Sequence, residues 1–226
     1  MTHTFLIFGY GIPKDILKDE TYSLYLTPVF NHIYNTVTET QITDPLIITC
    51  GGKTDMQKPY IRSEAVEMIR FFRHLISERP YLKPITKHWK WLAESSSLST
   101  LENILNSKKI LDKRGVVAGP ITIFCETTRA KRVQTVAKKV FGAKQPIRVV
   151  PIDFDLSEHR YLGADYIHRK ESRETLHSLW ALKSPENLKK HHALFQKKFD
   201  YLRQRGTKAH AAAIKEWWDT ELQKTS

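Results

Sequence analysis

Five short apolar runs punctuate the chain: Thr4 to Phe8, Pro45 to Cys50, about Trp89 to Ala93, Pro120 to Cys125 and Ile147 to Ile152. Each has strand length and is mostly apolar, with Lys90 and Arg148 interrupting the third and fifth. That pattern belongs to strands covered on both faces, not to strands alternating between core and solvent. Between the runs, apolar residues recur at helical spacing. Thr27-Pro28 reads as an N-cap with proline at the first helical position, followed by Val29, Ile33 and Val37. Ala65, Ile69, Phe72 and Ile76 mark a second helix. Leu101, Ile104, Leu105 and Leu111 mark a third, and Ala130, Val133, Val136, Ala137 and Val140 a fourth. Buried strands alternating with amphipathic helices predict a three-layer α/β/α sandwich with a parallel, Rossmann-like sheet, because right-handed crossovers place helices above and below it.

Beyond Pro151 the pattern becomes helical. One helix is expected from Glu171 to Lys183, and another from Ser184-Pro185 to about Arg203. Gly206 separates these from a last helix carrying Trp217 and Trp218. The expected organisation is an α/β domain over residues 1–156 and a helical extension over 157–226 packed on it. At 226 residues the chain suits one well-buried core. The paired tryptophans read as core or interface anchors before they read as a platform for stacking bases.

Composition narrows the class. Hydrophobic residues make up 41% and charged residues 27%, so the chain is expected to fold throughout. The first residues lead directly into the first strand, which predicts no export signal, and no apolar run approaches the roughly 20 residues of a bilayer span. A cytoplasmic protein with no membrane anchor is the expectation. Cys50 and Cys125 each close an apolar run and are assigned neither a disulfide nor a metal. The formal charge of +12 favours polyanions, but the cations read as spread along the chain and mixed with 24 acids, as on solvated helix faces.

In a parallel α/β sheet the loops leaving the strand carboxyl ends form the ligand crevice, where helix N-termini also offer N–H groups to anions. After the first strand, Gly9-Tyr10-Gly11 permits a tight turn and close backbone approach to a ligand. Ile12-Pro13-Lys14 then denies the third glycine and prompt helix of a dinucleotide fingerprint. Gly51 and Gly52 repeat the device after the second strand. Ser63 and Glu64 follow, readable either as helix cap and first-turn acid or as ligand contacts. The third loop, Glu94 to Asn103, is the richest in hydroxyls, carboxylates and amides. Ser99 and Glu102 have capping-box spacing, whereas Glu94 at a strand end is a candidate to hold ribose hydroxyls or accept a proton. After the fourth strand, Glu126 is a second candidate base. Thr127 or Thr128 is readable as a helix cap, and Arg129 and Arg132, three apart, as an anion clamp or as solvated cations.

Taken in order, these loops resemble a family of bacterial proteins typified by YdcF, SanA and ElyC. The residues that carry the resemblance are Gly9-Tyr10-Gly11, Cys50-Gly51-Gly52, Ser63-Glu64-Ala65, and the set Glu94, Ser97, Thr100, Glu102 and Asn103. The fourth motif differs. Where the family has Thr-Ser and then histidine and arginine three apart, this chain has Cys125-Glu126 and then Arg129 and Arg132. The resemblance spans about residues 4–155 and implies an α/β/α sandwich binding a nucleotide-type ligand, S-adenosylmethionine being the one associated with a member. On that reading Gly9, Gly11, Gly51, Gly52, Ser63, Glu64, Glu94, Ser97, Thr100, Asn103 and Arg129 line the ligand, and no metal is expected. Two alternatives stay open: a hydrolase or transferase acting on a phosphorylated or envelope-type precursor with Glu94 or Glu126 as base, and a basic module binding nucleic acid or protein through the helical tail.

Overall fold

The computed structural model describes residues 3–116, 119–154, 163–206 and 210–223. The chain divides into two compact units, one of Met1–Asp55 with Ile61–Phe154, the other of Met56–Tyr60 with Asp155–Ser226. The boundary expected at 156/157 lies outside the described residues. That the short segment Met56–Tyr60 groups with the helical unit has no signal in the sequence.

The first unit is an α/β fold of the Rossmann-like kind. Its strands are β1 (Thr4–Phe8), β2 (Leu46–Cys50), β3 (Lys90–Glu94), β4 (Ile121–Glu126) and β5 (Ile147–Ile152). They form one sheet in the order β3-β2-β1-β4-β5, every neighbouring pair parallel. The helices are α1 (Glu20–Glu39), α2 (Glu64–Ser77), the single turn α3 (Lys83–Thr86), α4 (Thr100–Lys113) and α5 (Ala130–Phe141). Helix α1 packs beside α2, and α4 beside α5, one pair on each face of the sheet. The chain moves from β1 outward to β2 and β3, returns across the sheet to β4 and moves outward again to β5. Strand order therefore reverses between β1 and β4, where the loops leaving adjacent strands diverge to opposite faces.

Central strands β1, β2 and β4 are buried at every residue, whereas β3 and β5 are partly exposed, as edge strands must be. The core under α1 and α2 is aromatic. Phe30, Phe72, Trp89 and Trp91 pack ring on ring at centroid distances between 5.1 and 6.2 Å.

In this unit two expected helix caps are not used as caps. Helix α1 begins seven residues before Thr27, because the Asp19 carboxylate accepts the Tyr22 N–H at 2.8 Å and caps it there. Thr27 and Pro28 lie inside the helix. Proline removes the hydrogen bond to the Leu24 carbonyl, a loss tolerable because Leu24 and Pro28 are both on the exposed side, where water can replace the donor. Neither Thr127 nor Thr128 caps α5, which is entered through a 3-10 turn, Thr127–Arg129, without a side-chain cap.

The second unit contains α6 (Ala164–Ala181), α7 (Pro185–Arg205) and α8 (His210–Gln223). Helix α7 starts at Ser184, whose hydroxyl accepts the Asn187 N–H at 3.1 Å, and ends at Gly206 with φ 74°. Helix α6 starts seven residues before the expected Glu171. Its first turns are weakly patterned but gain a tertiary tie, the Tyr166 hydroxyl donating to the Lys215 carbonyl of α8 at 3.1 Å. Trp218 is buried, edge-on to Phe195, with the Lys198 ammonium 5.1 Å from its ring centroid. It is a core anchor of this unit.

Candidate ligand site at the strand carboxyl edge

Burying a carboxylate is costly unless donors surround it. The glutamates that nonetheless sit buried along the carboxyl edge of the sheet include Glu64 at the start of α2, Glu94 at the end of β3, Glu102 at the start of α4 and Glu126 at the end of β4. What surrounds each decides what the edge can do.

Glu64 occupies the room that two glycines leave. A Cβ on Gly9 would lie 2.1 Å from Glu64 Oε2, and one on Gly51 2.5 Å from the same oxygen. Both would also approach the Glu64 Cβ within 2.8 Å, an atom fixed to the helix backbone. The Thr54 hydroxyl donates to Glu64 Oε1. Gly52 is used in the same manner: a Cβ there would meet the Ser97 carbonyl oxygen at 2.3 Å, and the Gly52 N–H donates to that oxygen at 2.7 Å. Three of the four glycines read as making space for a ligand thus make space for the protein. Gly11, with φ 131° and no atom within 4 Å of its would-be Cβ, is the one that opens outward.

Glu94 organises the β3–α4 loop. Its Oε1 accepts the Ser96 N–H at 2.9 Å and the Asn106 amide at 3.2 Å, and its Oε2 accepts the Ser97 hydroxyl. Ser97 also contacts Asn103 Oδ1. One hydroxyl hydrogen serves one acceptor, so donation to the carboxylate requires the Asn103 amide to present its NH2 to Ser97. The loop's start also meets α2, Ser63 donating to the Ser95 hydroxyl at 3.0 Å. Thr100, buried at the start of α4, makes no side-chain hydrogen bond among the described residues.

The helix N-termini beside these loops are already used. At α2 the N–H groups of Glu64 and Ala65 donate to the carbonyls of Gly52 and Gly51, both at 3.0 Å, and Val66 and Glu67 donate to Ser63. At α4 Ser99 accepts from Glu102 N–H, while the Glu102 carboxylate takes the Leu98 N–H at 2.6 Å. Ser99 thus caps α4 as the capping-box spacing predicts, and the Glu102 carboxylate reaches back to the residue before the cap. The anion-binding capacity expected of helix α2 is therefore spent internally.

The β1 and β4 loops are arranged differently. Arg129, half-buried, donates from Nη1 to the Gly9 carbonyl at 3.2 Å and so reaches across the point where strand order reverses. The Thr128 hydroxyl donates to Glu126. Arg132, readable with Arg129 as an anion clamp or as a solvated cation, is buried. Tyr10 lies half-buried on a stack, its ring 4.8 Å from Tyr22 and 4.8 Å from Phe154. The Tyr22 hydroxyl donates to the Gly11 carbonyl and accepts the Tyr10 N–H at 3.3 Å. Burial, with the nearby Glu64 charge adding to it, pushes the Tyr22 phenol well above its ordinary value and keeps it a neutral donor.

One structural ion pair was invisible in the sequence. Arg62 binds both oxygens of the buried Asp55 at 2.7 and 2.9 Å and donates to the Pro13 and Lys14 carbonyls at 3.1 and 3.2 Å. It ties the β1 loop to the β2 loop. Asn106 was also missed, although its spacing of three from Asn103 places both on one helix face. Cys50 and Cys125 are free and buried, Cys50 Sγ lying 3.2 Å from the Ser107 hydroxyl, and burial pushes the Cys50 thiol up, out of reactive range. Among the described residues, no group of three or more His, Cys, Asp or Glu is placed to hold a metal ion. Comparison of the chain with protein-family models, with curated proteins and with solved structures gives no match in any of the three.

Proposed function

We propose that the chain binds a nucleotide-type ligand where β1 and β4 diverge, between the Gly9-Tyr10-Gly11 turn and the start of α5. The observation that carries this reading is the Arg129 contact with Gly9, a half-buried cation held at the topological switch point of a parallel sheet. Around it stand the groups such a ligand needs. Gly11 leaves open space for backbone approach, and the Tyr10 ring, held between Tyr22 and Phe154, fixes the turn that carries it. Arg129 supplies a planar donor for phosphate or carboxylate, and Glu126 supplies an acceptor for hydroxyls. The β2 and β3 loops, consumed by their own hydrogen bonds, act as the rigid wall on which this half rests.

The order of motifs shared with the YdcF, SanA and ElyC proteins supports the same reading and makes S-adenosylmethionine the first ligand to test. A cytosolic location fits as well, since no described helix is long and apolar enough to cross a membrane. Calorimetric titration with S-adenosylmethionine, ATP, NAD and nucleotide sugars, repeated on Arg129→Ala, tests the proposal. Selective binding lost in the variant is the expected result; equal affinity in the variant removes the site, and no binding to any of the four removes the ligand class.

A further inference from the structure

The fold gathers charge that looks scattered along the sequence. Residues 101–150 contain eleven Lys and Arg against three Asp and Glu, so a stretch of 50 residues carries a net +8 of the chain's +12. Of the three acids, Glu102 and Glu126 are buried at the strand carboxyl edge, and Asp112 is paired with Lys108 at 2.6 Å. Helices α4 and α5 lie side by side and return from that edge, so their last turns meet at the opposite end of the sheet. Lys109, Lys113 and Arg114 from α4, Lys138 and Lys139 from α5, and Lys144 beyond it are all exposed there. None has a hydrogen-bond or ion-pair partner among the described residues.

The helix dipole explains part of this, since cations in a last turn are stabilised by about 0.3–1 kcal/mol each. It does not explain why two adjacent helices and the following loop present six cations against one exposed acid, Asp112, which Lys108 already pairs. We infer that this end of the α4–α5 layer binds the phosphate backbone of a nucleic-acid duplex. Among the described residues the exposed large apolar side chains are Leu24, Ile61, Val66, Tyr81 and Leu176, none of them on α4 or α5. Among the described residues the face therefore presents no fully exposed apolar wedge to enter a bilayer and no fully exposed aromatic platform to stack single-stranded bases. Mostly lysine, it offers flexible point charges suited to phosphates and not the forked donors that read base edges, so binding is independent of sequence.

The test is fluorescence anisotropy of the full chain with a labelled 20-base-pair DNA duplex between 50 and 200 mM salt. Six phosphate contacts predict a log–log salt slope near about −5, and Lys138→Gln/Lys139→Gln/Lys144→Gln reduces its magnitude by about 2.7 and weakens binding at least about tenfold. A control triple on the helical unit, Lys183→Gln/Lys189→Gln/Lys197→Gln, removes the same charge and leaves affinity within about twofold. Circular dichroism melts establish that both variants fold. No binding at 50 mM salt overturns the inference, as does equal weakening by both triples, and so does binding to phosphatidylserine vesicles but not to the duplex. Titrations at the strand carboxyl edge are independent of this face, so either proposal can fail alone.

Discussion

The two halves of the strand carboxyl edge use similar residues to opposite ends. On the β2–β3 side, glycines, serines and two glutamates close on one another: Glu64 fills the room beside Gly9 and Gly51, and Glu94 takes donors from Ser96, Ser97 and Asn106. On the β1–β4 side, Gly11 faces open space, α5 begins without a side-chain cap, and Arg129 spans the divergence of the loops. Polar residues at a strand end are thus as able to build a wall as a site. Only their partners tell which.

Breaking the wall should cost most. Gly51→Ala places a Cβ against Glu64 at a φ of 152° that side chains rarely adopt, and is expected to lower unfolding free energy by about 3 kcal/mol in a urea titration. A loss under about 1 kcal/mol would show that Glu64 swings aside and that the wall is soft. Next, Glu94→Ala leaves the Ser96 N–H, the Ser97 hydroxyl and the Asn106 amide without their shared acceptor. The expected loss is about 2 kcal/mol, with Glu94→Gln between it and the parent. A variant as stable as the parent would free Glu94 for a ligand role. Because ligand affinity in Glu94→Ala falls with stability, Arg129→Ala is the sharper probe of the other half. It should change stability by less than about 1 kcal/mol while reducing nucleotide affinity at least about tenfold. A stability loss matching that of Glu94→Ala would make Arg129 part of the wall too.

The smallest expected effect extends the comparison to the helical unit. There His177 and His191 meet through Nδ1 atoms 3.0 Å apart, and burial holds the His177 imidazole below its ordinary value. The unfolded chain then takes up the proton first, so stability present above about pH 6.5 declines as the pH falls below it. Melting temperatures flat from pH 7.5 to 5.0, with Glu94 variants and parent alike, would show that the pair carries no such penalty.

Much of this was legible in the sequence. Apolar runs located all five strands to within a residue, although only β1, β2 and β4 are buried at every position. Ser63, Ser99 and Ser184 were readable as caps because capping is local. Where the sequence misled, a local signal competed with a distant one. Thr27-Pro28 has the form of a helix start, but Asp19 had already capped the helix and Pro28 could lie on its exposed side. Arg132 resembles a surface cation on its own helix and is buried by the fold.

The sequence by itself determined the alternation of buried strands and amphipathic helices, and with it a parallel sheet covered on both faces, because periodicity and handedness are properties of the chain alone. The tertiary structure decided which glycine opens outward and which faces Glu64, that Asp55 finds Arg62, and that cations from two helices and a loop gather at one end of the sheet. Those outcomes depend on distances between residues far apart in sequence, and a carboxylate's or cation's role is set by what comes within a few ångströms of it, which no local pattern encodes.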